Sequence, residues 1–132
     1  MRITTNLGNA FQPVEAAWAI KCFVEGFARG CMLAWPRWNL PPLYQSGVRF
    51  RLPPEHGKGE EHMRLPIFTY AAREGDCDRL VIWWLCEQWA RGLPASCSTY
   101  FVGGRMHVVG RRSWDDSGPI EDPSIVLGAR PQ

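Results

Sequence analysis

Cys77-Asp78-Arg79-Leu80-Val81-Ile82-Trp83-Trp84-Leu85-Cys86-Glu87-Gln88-Trp89-Ala90-Arg91 carries more architectural information than any other stretch of this chain. Leu80, Val81, Ile82, Trp83, Trp84, Leu85 and Trp89 place apolar side chains nearly all the way round a helix, which Gly92 and Pro94 bring to an end. A helix that is apolar on every side needs cover on every side. It belongs in the centre of a core, and its neighbours must come from both directions along the chain.

Downstream, Ser96 to Val102 reads as a strand, Gly103-Gly104 as a tight hairpin turn and Arg105 to Arg111 as the returning strand. A second turn through Asp115, Asp116, Ser117 and Gly118 leads to a short strand at Ile120 to Asp122, which Pro123 stops. Upstream, Pro13 suits a first helical turn and Gly30 a C-terminal cap, with Ile20, Phe23, Val24 and Phe27 at helical spacing between them. From Trp35 to Gly59 the five prolines Pro36, Pro41, Pro42, Pro53 and Pro54 leave room for one short strand, near Val48 to Leu52. The expectation is an α+β domain: a central buried helix on a small antiparallel sheet, with an extra N-terminal helix over 13–30.

At 132 residues the chain has the size of one domain, and residues 1–132 are read as such, with no repeat or low-complexity segment. A formal charge of +2 with scattered basic residues gives no basis for a nucleic-acid partner. Cys22, Cys31, Cys77, Cys86 and Cys97 form an odd set without any Cys-x-x-Cys pair, which fits neither a disulfide framework nor a zinc knuckle and implies a reducing compartment. The longest apolar stretch, Val14 to Trp35, is broken by Glu15, Lys21, Glu25 and Arg29, so no membrane span is expected.

The chemistry-bearing pattern is a cysteine opening a buried helix, then a histidine on a strand, then an acid on the next strand. In the first helical turn Cys77 meets the positive end of the helix dipole, which favours thiolate over thiol. Asp76 and Asp78 work against this unless they turn away to cap the helix or bind backbone amides. If the second hairpin turns about Trp114-Asp115, His107 and Asp122 face each other and the carboxylate orients the imidazole. In the first hairpin Tyr100 faces His107 and walls the site. Cys77, His107 and Asp122 are the candidate triad for acyl transfer, with the Cys77 backbone amide as one oxyanion donor.

Four short matches, in order, carry a family resemblance: Gly75-Asp76-Cys77-Asp78, Gly92-Leu93-Pro94-Ala95, Met106-His107-Val108-Val109 and Glu121-Asp122-Pro123-Ser124. Together they resemble the transglutaminase-like branch of the papain-type cysteine hydrolases, and above all short members encoded by tailed phages and prophages. Tyr44 to Phe50 and Glu55 match a segment that precedes the nucleophile in that group, and Leu127-Gly128 matches one that follows the final acid. The resemblance spans residues 43–129. It implies a papain-like fold and a nucleophile, base and acid at Cys77, His107 and Asp122. Arg79 departs from the pattern, which usually carries a second acid there.

Plainer readings stand beside each residue. A cysteine near a helix start is most often a small buried hydrophobe, and Cys22, Cys31, Cys86 and Cys97 are read as core. His56 and His62 with Cys77 lack the tight ligand pair of a zinc site and read as loop histidines, so neither a metal nor a cofactor is expected. Asp115 and Asp116 are rival acids whose place before Ser-Gly suits a turn. Trp83, Trp84 and Trp89 read as core; Trp18, Trp35, Trp38 and Trp114 are candidates for a partner surface.

Two functions are therefore expected to compete. One is a cysteine hydrolase or amide acyltransferase acting on protein in a bacterial cytoplasm. The other is a phage head-tail assembly or virion protein that uses the same fold to bind phage structural proteins. An endopeptidase of the Asp-Cys-Ser type is disfavoured by Asp78 and by the Glu121-Asp122-Pro123-Ser124 ending.

Overall fold

A computed structural model of the chain describes residues 2–6, 13–52, 60–102 and 104–129. The central helix is α4, Cys77–Ala90, and Leu80 to Cys86 on it are fully buried, as an all-round apolar helix must be. Around it lie β5 (Ser96–Val102), β6 (Arg105–Arg111) and β7 (Ile120–Glu121), a three-stranded antiparallel sheet in that order. The other cover is α1, Pro13–Cys31, which packs on both α4 and β5. Five helices and this small sheet make the fold a mixed α+β one among the described residues.

On α1 the buried positions are Ala16, Ile20, Val24, Ala28 and Cys31, a narrow stripe of mostly small residues that lets the helix approach α4 closely. Phe23 falls off that stripe and is exposed, and so is Cys22, which corrects the reading of the four cysteines other than Cys77 as core. Cys31, Cys86 and Cys97 are buried.

The proline-rich region holds two single turns, α2 (Trp35–Trp38) and a 3-10 turn at Leu43–Gln45, and then β2, Arg49–Phe50. β2 pairs in parallel with β4 (Glu74–Gly75), just ahead of α4, after the short helix α3 (Pro66–Ala72). Farther out, β1 (Arg2–Asn6) pairs antiparallel with β3 (Glu60–Arg64). Glu55, His56 and Gly103 lie outside the described residues, as does the side chain of His62.

The first hairpin has the expected register, with Tyr100 opposite His107 and Val102 opposite Arg105. The second does not: Gly110 faces Glu121 and Arg111 faces Ile120, each partner two residues beyond the one that a turn centred on Trp114-Asp115 would give. Side-chain bonds hold a wider loop there. Asp115 Oδ1 accepts from the Ser117 amide at 2.9 Å, and Ser113 Oγ accepts from the Gly118 amide at 2.9 Å. β7 also ends one residue early, because Asp122 leaves the strand to cap α5, Pro123–Val126.

Candidate functional site

Cys77 is the first residue of α4, and Asp76 is its N-cap, in extended backbone with a side-chain oxygen accepting from the Arg79 amide at 3.4 Å. The Arg79 guanidinium stands 3.8 Å from the same carboxylate oxygen, both side chains being buried. The acid before Cys77 is thus committed to the helix start and to a cation. Arg79, the departure from the resembled pattern, is that cation. Asp78 is buried within the first turn.

His107 and Asp122 meet without being strand partners. His107 Nε2 lies 2.7 Å from Asp122 Oδ2, while Oδ1 of the same carboxylate accepts from the Ser124 amide at 3.0 Å. One oxygen caps α5 and the other orients the imidazole, so the ring is held by a group that is itself anchored. Nε2 being engaged, Nδ1 is the ring nitrogen left to exchange a proton with a nucleophile. The Tyr100 ring stands edge-on to the imidazole, centroids 5.5 Å apart. Burial pushes the Tyr100 hydroxyl above its usual value, and Asp122 and Cys77 push it in the same direction.

Cys77, His107, Asp122 and Tyr100 line one cavity of about 290 Å³, walled by Phe50, Leu52, Met106 and Ile125 and with Arg105 among its lining residues. Met106 and His107 are successive strand residues whose side chains alternate. Met106 and Val108 belong to the core cluster that includes Cys77, whereas His107 shares the other face with Val109. The cavity therefore wraps the edge of β6, which is open there because β7 pairs only with Gly110 and Arg111. Cys77 is nearly closed off, at 4% exposure.

Behind the acid lies a second anchor that the sequence reading missed. Glu121 Oε2 accepts from Tyr44 Oη and from Trp84 Nε1, both at 2.6 Å, and Oε1 accepts from Arg112 Nε at 2.8 Å. Burial alone would raise the Glu121 carboxyl, but the bonds from Tyr44, Arg112 and Trp84 outweigh it and hold the group below its ordinary value. The central helix and the loop before β2 are thereby tied to the residue next to Asp122.

The rival acids serve elsewhere. Asp115 stays in its turn, and Asp116 accepts from Ser98 Oγ at 2.8 Å and lies 3.7 Å from Lys21 Nζ. The wall residues Phe50 and Leu52 had a signal: with Val48 they alternate along the strand read at 48–52. Ile125 had none, since only the turn into α5 brings it to the cavity. Among the described residues no group of three His, Cys, Asp or Glu is placed to hold a metal, and no helix is long and apolar enough to cross a membrane. Compared with known proteins, the chain matches no family model, no curated protein and no solved structure.

Proposed function

We propose that this chain is a transglutaminase-like cysteine hydrolase or amide acyltransferase with a papain-like fold, acting on protein through Cys77, His107 and Asp122. The observation that carries the reading is the 2.7 Å bond between His107 Nε2 and Asp122 Oδ2 in a cavity that Cys77 also lines. The aligned peptide dipoles of α4 favour a thiolate at its first residue. That sulfur attacks a substrate carbonyl carbon, a C–S bond forms, and the electron pair moves onto oxygen. The tetrahedral adduct then collapses, the C–N bond breaks, and the leaving amine takes a proton from His107. Water or a second amine attacks the thioester, His107 takes the proton of the incoming group, and the thiolate is restored.

The resemblance of the four motifs supports a phage or prophage setting, with the protein made in the bacterial cytoplasm. Trp18 and Trp114, at 68% and 65% exposure, favour a second reading in which the same fold binds virion proteins during head-tail assembly.

The test is iodoacetamide labelling of the folded protein, read by mass spectrometry in a Cys22→Ser background that removes the exposed thiol. Cys77 is expected to label first, and His107→Ala to slow that labelling at neutral pH. Preferential labelling of Cys31, Cys86 or Cys97 refutes the assignment.

A further inference from the structure

Among the described residues, β5 has an unfilled edge beyond Cys97. Antiparallel bonding alternates, so Ser96, Ser98, Tyr100 and Val102 turn their main-chain groups to β6 while Cys97, Thr99 and Phe101 turn theirs outward. For Cys97 the outward groups are taken by α1: its amide donates to Glu25 Oε2 at 2.8 Å, and its carbonyl accepts from Lys21 Nζ. One turn earlier the helix reaches Thr99 only through the side chain, whose hydroxyl donates to the Ala17 carbonyl. Among the described residues, no hydrogen bond meets the outward amide or carbonyl of Thr99 or Phe101. These groups repeat every two residues, about 6.8 Å, which is the period an added strand presents.

Outside this edge runs a groove of about 360 Å³ between Ala17 and Trp18 on one side and Asp116 on the other. Phe101 and Trp18 are exposed along it, giving apolar cover for alternate side chains of a bound strand. Tyr100 lines this groove and also lines the cavity of Cys77, His107 and Asp122. The two concavities meet at that one ring.

We propose that the Thr99–Phe101 edge is the docking strand for substrate. An extended segment of a protein chain adds to β5 through the amides and carbonyls of Thr99 and Phe101, then passes over Tyr100 to bring a carbonyl to Cys77. This rests on the proposed function and adds the class of substrate. Main-chain pairing reads extension rather than side-chain identity, so the site selects unfolded or loop segments of protein over folded surfaces.

The experiment uses the Cys77→Ser protein, so that nothing is turned over, with carboxymethylated casein as a permanently unfolded probe. Amide exchange is followed by NMR. The Thr99 and Phe101 amides are expected to slow about tenfold or more on binding, a factor that one hydrogen bond supplies, while the Ser98 and Tyr100 amides, already in the ladder, change little. Phe101→Pro deletes an outward donor without touching the ladder, and Phe101→Ala deletes the same ring but keeps the donor. With equal melting temperatures for the two variants, Phe101→Pro is expected to bind casein about five- to tenfold more weakly than Phe101→Ala. Casein that does not bind, that binds without protecting these two amides, or that binds both variants alike overturns the proposal. So does protection that grows with protein concentration in the absence of casein, which would mean that a second copy fills the edge. Iodoacetamide labelling of Cys77 needs no docked substrate, so a failure of the catalytic reading is seen separately.

Discussion

Gly110 is the position where one added methyl group has the best-defined consequence. A Cβ there would fall 2.5 Å from Trp84 Cζ3 and 2.8 Å from Cε3 and Cη2, well inside van der Waals contact. The ring cannot simply tilt away, because Trp84 is fully buried and its Nε1 is pinned to Glu121 at 2.6 Å. Either the indole moves and weakens a charge-assisted bond, or β6 lifts off α4. Overpacking of this kind costs about 1 to 3 kcal/mol, and the loss of unfolded-state freedom on replacing glycine returns only about 0.4 to 1 of it. Gly110→Ala is therefore expected to destabilise by about 1 to 2 kcal/mol, roughly 4 to 8 °C in a thermal melt of a domain this size. Trp84→Phe removes the clashing part of the ring, so the double variant should be more stable than the sum of the single changes by about 1 kcal/mol or more. Denaturant melts of the four proteins measure that coupling. Strict additivity would show that the strand yields rather than the ring, and the argument from Trp84 would be refuted. Gly75→Ala serves as a milder comparison, since its Cβ would meet Thr69, Arg79 and Leu80 at 3.2 to 3.4 Å.

The two oxygens of Asp122 should separate under mutation. Asp122→Asn keeps an oxygen for the Ser124 amide, so stability holds while activity drops by about two orders of magnitude or more; Asp122→Ala should also lose about 1 kcal/mol of capping, read in a melt. Glu121 has a depressed carboxyl, so its contribution is present above the ordinary glutamate value of about 4.3 and is lost as pH falls through the lower folded value. Melting temperatures of the wild type should therefore fall more steeply than those of Glu121→Gln below about pH 4.3, and parallel curves would show that the network is not coupled to folding. Trp84→Ala should cost about 3 to 5 kcal/mol and abolish folding, whereas Cys77→Ser should melt like the wild type and lose peptidase activity. If Cys77→Ser supports every biological function, the binding reading takes the place of the enzymatic one.

The elements legible in the sequence were those that local chemistry specifies. An all-round apolar run could only be the central helix, and the Gly103-Gly104 signal fixed both the ends of β5 and β6 and the Tyr100–His107 register. What escaped depends on contacts made by distant or small side chains. The second hairpin slipped by two residues because Ser113, Asp115 and Ser117 build a loop whose width no strand pattern encodes. An even slip keeps every side chain on its own face, which is why the pairing of His107 with Asp122 survived a wrong register. Asp122-Pro123 carries a helix-start signature, a capping acid followed by proline, that the strand-stopping role of the same proline masks. Cys22 was misplaced because α1 is buried along a stripe of alanines, valine and isoleucine rather than along its phenylalanines. The β1–β3 pairing joins segments far apart in the chain, and no local pattern announces it.

The two-residue strand β2 has a bearing on the order of folding. The Arg49 and Arg51 amides donate to the Arg73 and Gly75 carbonyls at 3.1 and 2.9 Å, while the Phe50 amide between them donates to the Leu127 carbonyl at 2.9 Å. One side of this short segment grips the approach to Cys77 and the other grips the turn that follows Asp122. During synthesis α4 emerges well before that turn exists, so β2 has only half of its partners and the wall formed by Phe50 stays unfixed. Closure waits for a long-range contact, the slowest kind to form. The cavity that Phe50 walls with Cys77, His107 and Asp122 is therefore complete only once the chain has passed Leu127.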